Sequence, residues 1–498
     1  MISAQDRDYL STLRPGFRAL AEFELHHPQI WEMQTNTTSV PYWFNLRFWI
    51  ARVIADKVYG TQYLGKGLNG SGSETSPKLS ARLAEGIRDI AHLATTLTQT
   101  RAEILALGTG QYRYVLDGKL INPLFDEFLS QSTPNHLLLE GMPIPTEELQ
   151  YQRDVVAEAD RVLTRPLGIA KRLTKIDDSE RPTIEKLARL ITDNLSDYLE
   201  NDSHHHIVER SLGFAREAAA TKKVGPSFLK ALGVKTLLVE DAHYGRFANV
   251  SVIAKELGIT VAAPQHGVIT RQQEVYNYAP STLAQSSLRR CLPDYLLTFG
   301  EHWGPQTSTT SQIVSIGRPD LIRTAKRVVT NTSTKDRPRL LFVSSKMNPD
   351  IYLDYCRSLE SLAPNIDLVF RPHPSEVPRL SEIYGNYFTA PNAVFQLDEV
   401  PQALESVYNS DIVVGEQSAM LYEAQIFTNK TILVLNTPNT VGFLGDDIRY
   451  IGRYVTSAKD LLECTSNIEI AEPSKVQSHR FWNANWESAW DLFLEQSG

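Results

Sequence analysis

Residues 235–269, KTLLVEDAHYGRFANVSVIAKELGITVAAPQHGVI, limit the possible folds more than any other part of the chain. The spacing predicts a strand over 235–240, a helix over 246–257 stopped by Gly258, and a second strand over 259–263. A strand, a helix and a strand in this order form a βαβ unit with parallel strands. Ligands of such sheets sit beyond the carboxyl ends of the strands. Those ends carry Glu240 and Asp241 after the first strand, and Gln265, His266 and Gly267 after the second.

The same punctuation recurs along the chain. Ile104 to Leu107 form an apolar run that stops at Gly108 and Gly110, and HLLLEGMP starts another at 136. DYLLTFG and QIVSIGRPD add two strands, and the polar TNTSTKDRPR (330–339) reads as a linker. A second α/β pattern follows, with strands expected at 339–343, 367–370, 411–414 and 431–435. Residues 1–100 read as a helical extension, 145–230 as a charged helical insertion, and SHRFWNANWESAWDLFLEQ as a closing amphipathic helix.

At 498 residues, two or three domains are the prior expectation. The balance of 42% hydrophobic and 22% charged residues is that of a globular protein. A formal charge of -8 offers no chain-wide attraction to nucleic acid. Cys291, Cys356 and Cys464 form no CxxC pair, so a reducing, cytoplasmic setting is expected. The N-terminus has no signal-peptide pattern, and no stretch approaches the 18 uninterrupted apolar residues of a spanning helix.

Two stretches of the second half point to phosphate. In FRPHPSE a buried strand ends on Arg371 and His373, with Pro372 and Pro374 fixing the backbone on both sides of the histidine. Arginine offers a planar fork of N–H groups that suits phosphate, and histidine adds one more. A loop histidine bonded to a neighbouring carbonyl is the plain alternative. In DIVVGEQSAM, Gly415, Glu416, Gln417 and Ser418 form the turn before a helix starting near Ser418, where free N–H groups and the helix dipole favour an anion. Ser418 also fits an ordinary N-cap, and both readings can hold together.

AKELGITVAAPQHG, PDYLLTFGEHW with SIGRPD, FRPHPSE and SDIVVGEQSAMLYEAQIFTNKTIL, together with ILALGTGQYRYVLDGKLINPLFD, give the chain a resemblance over roughly residues 100 to 450. It resembles the GT-B glycosyltransferase-like enzymes of bacterial capsule and cell-surface polysaccharide synthesis, with capsular Kdo transferases, polysialyltransferases and teichoic-acid glycerophosphotransferases among them. The resemblance implies an α/β GT-B architecture of two Rossmann-like domains facing a cleft. The expected division is a helical extension over 1–100, an acceptor domain over 101–325 and a nucleotide-donor domain over 336–470. A C-terminal segment over 471–498 would cross back to the first domain.

The resemblance also implies roles. His373 and Pro374 would clamp the phosphate of a cytidine nucleotide, with Arg371, Ser418, Glu416 and Gln417 around it. Gly108, Gly110, Gln265 and Gly267 would face the acceptor. The base stays open between His266, which matches the His-Gly pair of the glycerophosphotransferases, and Glu240 with Asp241, which imitate the acidic pair of the sialyltransferases. Gly245 stands four residues after Asp241 rather than next to it. If His266 and Asp241 are neighbours, the carboxyl is expected to orient the imidazole and raise its pKa.

The expected reaction is sugar transfer from a CMP- or CDP-linked nucleotide-sugar to a glycan or lipid-linked acceptor. Polyol-phosphate transfer and a non-catalytic subunit are the alternatives. No cofactor and no metal are expected, since no clustered Asp-x-Asp is visible at a strand end.

Other signals carry less. Adjacent histidines do not share a helix face, so His204 to His206 make a poor metal site. LGTGQYR lacks the full nucleotide fingerprint, and TQYLGKGLNGSGS has no strand before it. Glu416 and Glu423 are seven apart, not the eight of retaining GT-B families, so Glu423 is expected to pack near the sheet. YWFNLRFWIARVIADK could lie on a bilayer as a peripheral contact at the inner membrane face, or pack on the first domain, which is the preferred reading.

Overall fold

The computed structural model of the chain describes residues 2–60, 101–110, 112–116, 119–132, 135–141, 150–151, 156–158, 167, 170–171, 174–175, 177–245, 247–329, 337–362, 365–390, 393–465, 475–476 and 480–497. The glycine-rich stretch at 61–73 and most of the expected linker lie outside them.

The first sheet contains β1 (Ile104–Gly108), β2 (His136–Glu140), β3 (Val156–Glu158), β4 (Thr236–Val239), β5 (Thr260–Pro264), β6 (Tyr295–Thr298) and β7 (Gln312–Ser315). Their order is β7-β6-β5-β4-β1-β2-β3, and every pair is parallel. β1 and β4 are buried throughout, as strands covered on both faces must be. The second sheet contains β8 (Arg339–Val343), β9 (Asp367–Arg371), β10 (Gln396–Leu397), β11 (Ile412–Gly415), β12 (Thr431–Leu435) and β13 (Arg453–Val455). It runs β10-β9-β8-β11-β12-β13, again all parallel.

Both orders reverse direction once, as in the doubly wound 3-2-1-4-5-6 arrangement, between β1 and β4 and between β8 and β11. The chain is therefore an α/β protein with two Rossmann-like sheets. Each reversal opens a crevice at the carboxyl ends of its two strands, and those crevices fix where a ligand can enter.

The helix between β4 and β5 is Ala248–Glu256. Gly258 ends it in the left-handed region, and the Ile259 N–H returns to the Ala254 carbonyl at 2.9 Å. The expected helical insertion is not wholly helical. Val156–Glu158 joins the sheet as an edge strand, too short to show a period in sequence. The rest includes the helices Glu180–Asn194 and Ser203–Leu232.

Helix Tyr42–Tyr59 packs inside the protein and not on a bilayer. Its Arg47 is paired with Glu24 at 2.5 Å and lies over the Tyr278 ring, and Arg52 reaches Glu274 at 2.7 Å. Among the described residues, no helix is long and apolar enough to cross a membrane.

The two sheets share one apolar cluster in which Ile269, Trp303 and Leu321 of the first half meet Leu341, Leu421 and Tyr422 of the second. Arg318 crosses this seam to Glu423 at 2.5 Å, and His302 reaches Asp447 at 3.3 Å. The closing helix, Trp486–Ser497, lies on the first sheet, where Trp490 donates to Ser132 Oγ at 3.0 Å and packs on Phe128. Its approach needs Gly317, whose φ is +85° and where a Cβ would stand 2.5 Å from the Asn483 carbonyl.

Candidate active site

The crevice of the first sheet gathers Gly108, Gly110, Glu240, Asp241, Gln265, His266 and Gly267. Thr109, between the two glycines, donates its N–H to Glu240 Oε2 at 2.8 Å and its hydroxyl to Oε1. A Cβ at Gly108 would lie 3.4 Å from Glu240 Oε2, so the turn and the carboxyl are in contact. Glu240 is fully buried, and burial raises its pKa. The neighbouring Asp241 pushes the same way, while Thr109 opposes both.

Asp241 follows in the left-handed region at φ 61°, which turns its side chain toward β5. Its Oδ1 lies 3.5 Å from His266 Nδ1, and both side chains are largely covered. The neighbours expected from sequence do meet, but the pKa goes the other way. Burial, the dominant effect, lowers His266 to about 4, and the Glu240 charge only partly offsets it. The imidazole is therefore neutral at pH 7.

Two rings hold it. Tyr112 stacks on His266 at 5.1 Å and 27°, and Tyr244 flanks it at 5.3 Å. Gln273 in turn donates to the Tyr244 hydroxyl at 3.2 Å. Nδ1 is sealed toward Asp241, which leaves Nε2 as the nitrogen that can meet a substrate hydroxyl.

Gln265 acts on the loop rather than on a ligand. Its Oε1 accepts from Phe299 N at 2.8 Å and its Nε2 donates to the Gly267 carbonyl at 2.7 Å, strapping the His266 turn to the end of β6. A Cβ at Gly267 would meet nothing within 4 Å, so the backbone there borders open space.

The second crevice gathers a different set. His373 Nδ1 accepts from the Ser375 N–H at 3.2 Å, so the neutral ring carries its proton on Nε2. Burial lowers its pKa to about 4, and the charge of Lys346 adds to this. Lys346 leaves β8 with φ 60°. A neutral Nε2–H within the field of an ammonium suits phosphate oxygens. Pro374 is exposed beyond the histidine, and the His373 N–H is bound to Glu376 at 2.7 Å.

Arg371 Nη1 donates to Asp398 at 2.7 Å, to the Val400 carbonyl at 2.8 Å and to Ser406 Oγ at 3.1 Å. That end of its fork ties β9 to the following loop. Glu416 is fully buried and accepts from Ser345, Asn348 and Thr437 at 3.0, 2.8 and 2.8 Å. A buried carboxyl with this set of partners braces the loops that meet there, and its own charge would repel a phosphate. Gln417 Nε2 is sealed without a partner. Ser418 caps a helix of one turn, Ala419–Glu423, by accepting from Met420 N at 3.3 Å, so little dipole stands behind it. Glu423 packs against Arg318, away from this cluster.

Sequence reasoning missed Lys346, Tyr112, Tyr244 and the buried His243. The signal for Lys346 was available, because SSK directly follows the central strand β8. The tyrosines had no such signal, since ring stacking across loops has no spacing in sequence.

No family model matches the chain, and no curated protein matches it. Among solved structures, UDP-GlcNAc 2-epimerase from Methanocaldococcus jannaschii is 12% identical over 79% of this chain and 99% of that one, with a TM-score of 0.44. The wall teichoic acid polymerase TagF is 10% identical over 84% and 93%, with a TM-score of 0.40. UDP-GlcNAc 2-epimerase from Neisseria meningitidis, solved with UDP-GlcNAc, is 12% identical over 79% and 98%, at a TM-score of 0.38.

Proposed function

We propose that this chain is a GT-B-type glycosyltransferase of bacterial surface-polysaccharide synthesis. It moves a sugar from a CMP- or CDP-linked donor to a hydroxyl of a glycan or lipid-linked acceptor. The observation that carries the reading is the pairing of two crevices: a neutral histidine beside a carboxyl in one, and a histidine at the strand end within the field of a lysine in the other. The first suits removal of a proton, the second a departing phosphate.

In this mechanism His373, Lys346 and the turn at Ser418 hold the phosphate of the nucleotide. His266 Nε2 takes the proton of the acceptor hydroxyl as its oxygen bonds to the anomeric carbon. The bond from that carbon to the phosphate oxygen breaks, and the nucleotide leaves with the electron pair. Asp241 steadies the imidazolium formed in the step. Glu240 with Thr109 fixes the loop that carries Asp241.

A His-Gly pair directly after β5 also suits transfer of a polyol phosphate from a CDP-linked donor, in which the acceptor oxygen attacks phosphorus instead of carbon. Product analysis with CMP-linked and CDP-linked donors separates the two. Nucleotide recognition is tested by a thermal-shift series with CMP, CDP, UDP and GDP, since a ligand of the native state raises apparent stability. A cytidine nucleotide should raise the Tm most, and no shift with any of the four would remove the transferase reading. With phosphate charge met by side chains, activity should persist in EDTA. A strict Mg²⁺ or Mn²⁺ requirement would overturn that part.

A further inference from the structure

Arg14, in the N-terminal helical segment, is buried, yet its guanidinium meets no hydrogen-bond acceptor among the described residues, and its Nε is sealed from solvent. The residue is held firmly. Its N–H donates to Gln272 Oε1 at 2.7 Å, and Gln272 Nε2 donates to the Thr12 carbonyl at 2.7 Å, which fastens it to the loop that follows His266. The guanidinium lies 5.3 Å from the Tyr59 ring centroid and 5.6 Å from that of Phe443 in the second half of the chain. A Cβ at Gly442 would touch its Cβ and Cδ at 3.5 and 3.6 Å. The carboxyl that acts on it, Glu274, is bonded to Arg52 at 2.7 Å.

Two more polar groups on this seam are sealed without partners, the Tyr59 hydroxyl and Asn439 Nδ2. Asn439, Gly442 and Phe443 share a face of helix Pro438–Leu444 by their spacing. That helix starts at Thr437, whose hydroxyl is bound to Glu416 in the second crevice. Groups able to donate a hydrogen bond thus collect where the N-terminal segment, the His266 loop and the second sheet's loops converge. Two aromatic faces recover less than burying a guanidinium costs, whereas the oxygens of an anion would satisfy it directly.

We propose that the guanidinium of Arg14, on the seam where Asn439 and Tyr59 pack, forms a binding site for a phosphate group of the acceptor, separate from the phosphate clamp at His373. The word acceptor rests on the transferase reading; the anion site does not. The test is calorimetric titration with inorganic pyrophosphate at constant ionic strength, using wild type, Arg14→Met and His373→Ala. Arg14→Met should weaken the binding by about tenfold or more, the loss of a charged hydrogen bond. The Arg14-dependent binding should survive His373→Ala.

Without ligand, Arg14→Met should raise the Tm, because an unsatisfied buried charge is gone. Unchanged pyrophosphate affinity in Arg14→Met, or a lowered Tm without ligand, overturns the site and leaves Arg14 as a packing contact. Should Arg14→Met fail to fold, Arg14→Lys keeps the charge without the fork and should still bind more weakly; equal affinity counts against the proposal. Glucuronate in a parallel titration separates the phosphate assignment from a carboxylate, and Arg14-dependent binding of glucuronate alone overturns it. A chain that binds no nucleotide but binds pyrophosphate through Arg14 would sink the transferase reading and leave this one standing.

Discussion

At the scale of single residues, His266 combines a carboxyl 3.5 Å from its Nδ1 with a pKa lowered by burial to about 4. A neutral ring is ready to accept a proton at pH 7, and the nearby carboxyl matters only once the charge has formed. His266→Ala should therefore abolish transfer while leaving nucleotide affinity nearly intact, and Asp241→Asn should lower kcat less, by roughly 10²-fold or below. Single-turnover assays check the ranking; the reverse order would make the carboxyl the base. His373→Ala should weaken nucleotide binding by about tenfold with little change in Tm, since the residue lies in a loop beyond β9. Calorimetry decides, and unchanged affinity removes His373 from the site. Sequence placed both histidines just beyond strand ends because continuous apolar runs stop before them. It could not show that Nη1 of Arg371 is held by Asp398, 27 residues downstream, because nothing local encodes a loop folding back.

Among the elements, the strands were the most legible. All ten of the runs read as strand lie in the two sheets, because parallel strands covered on both faces leave unbroken apolar stretches. The edges β3, β10 and β13 have only two or three residues each and no such signature. Packing of helix Tyr42–Tyr59 on the first domain was the expected reading, but its seat on the loop of Tyr244 was hidden. It depends on Gly245, whose φ is +77° and where a Cβ would stand 2.6 Å from the Phe44 carbonyl. Gly245→Ala should destabilise the protein by about 1–3 kcal/mol from backbone strain alone, with more from the clash, and should also lower activity, since Tyr244 flanks His266. A urea titration beside an activity assay checks both, and a silent variant would show that the helix is not coupled to the loop.

For the molecule as a whole, acid is the expected weakness. Burial lowers His266 to about 4 and His243 to about 3, against an unfolded value near 6.5. Between those values the unfolded chain binds protons that the folded chain refuses. Stability is therefore complete above about pH 6.5 and falls as pH drops toward the folded values, by about 1.4 kcal/mol per pH unit for each histidine near pH 5. Urea midpoints from pH 7 to 5 should show this, and His243→Phe should remove about half of the slope that these two histidines supply. A flat profile would mean that these rings are solvated. The seam between the sheets, with Arg318 on Glu423 and Trp303 against Tyr422, joins residues about a hundred positions apart, which no local pattern announces.

The return of helix Trp486–Ser497 to the first sheet also sets an order of events during synthesis. Phe128 and its neighbours receive their cover from Trp486 and Trp490, made about 170 residues after β7. At ribosomal speed the first domain waits about 10–40 s with that apolar face bare while the second domain emerges. The nascent chain should therefore carry an exposed apolar face through that interval, and the second domain is already made when the first one closes.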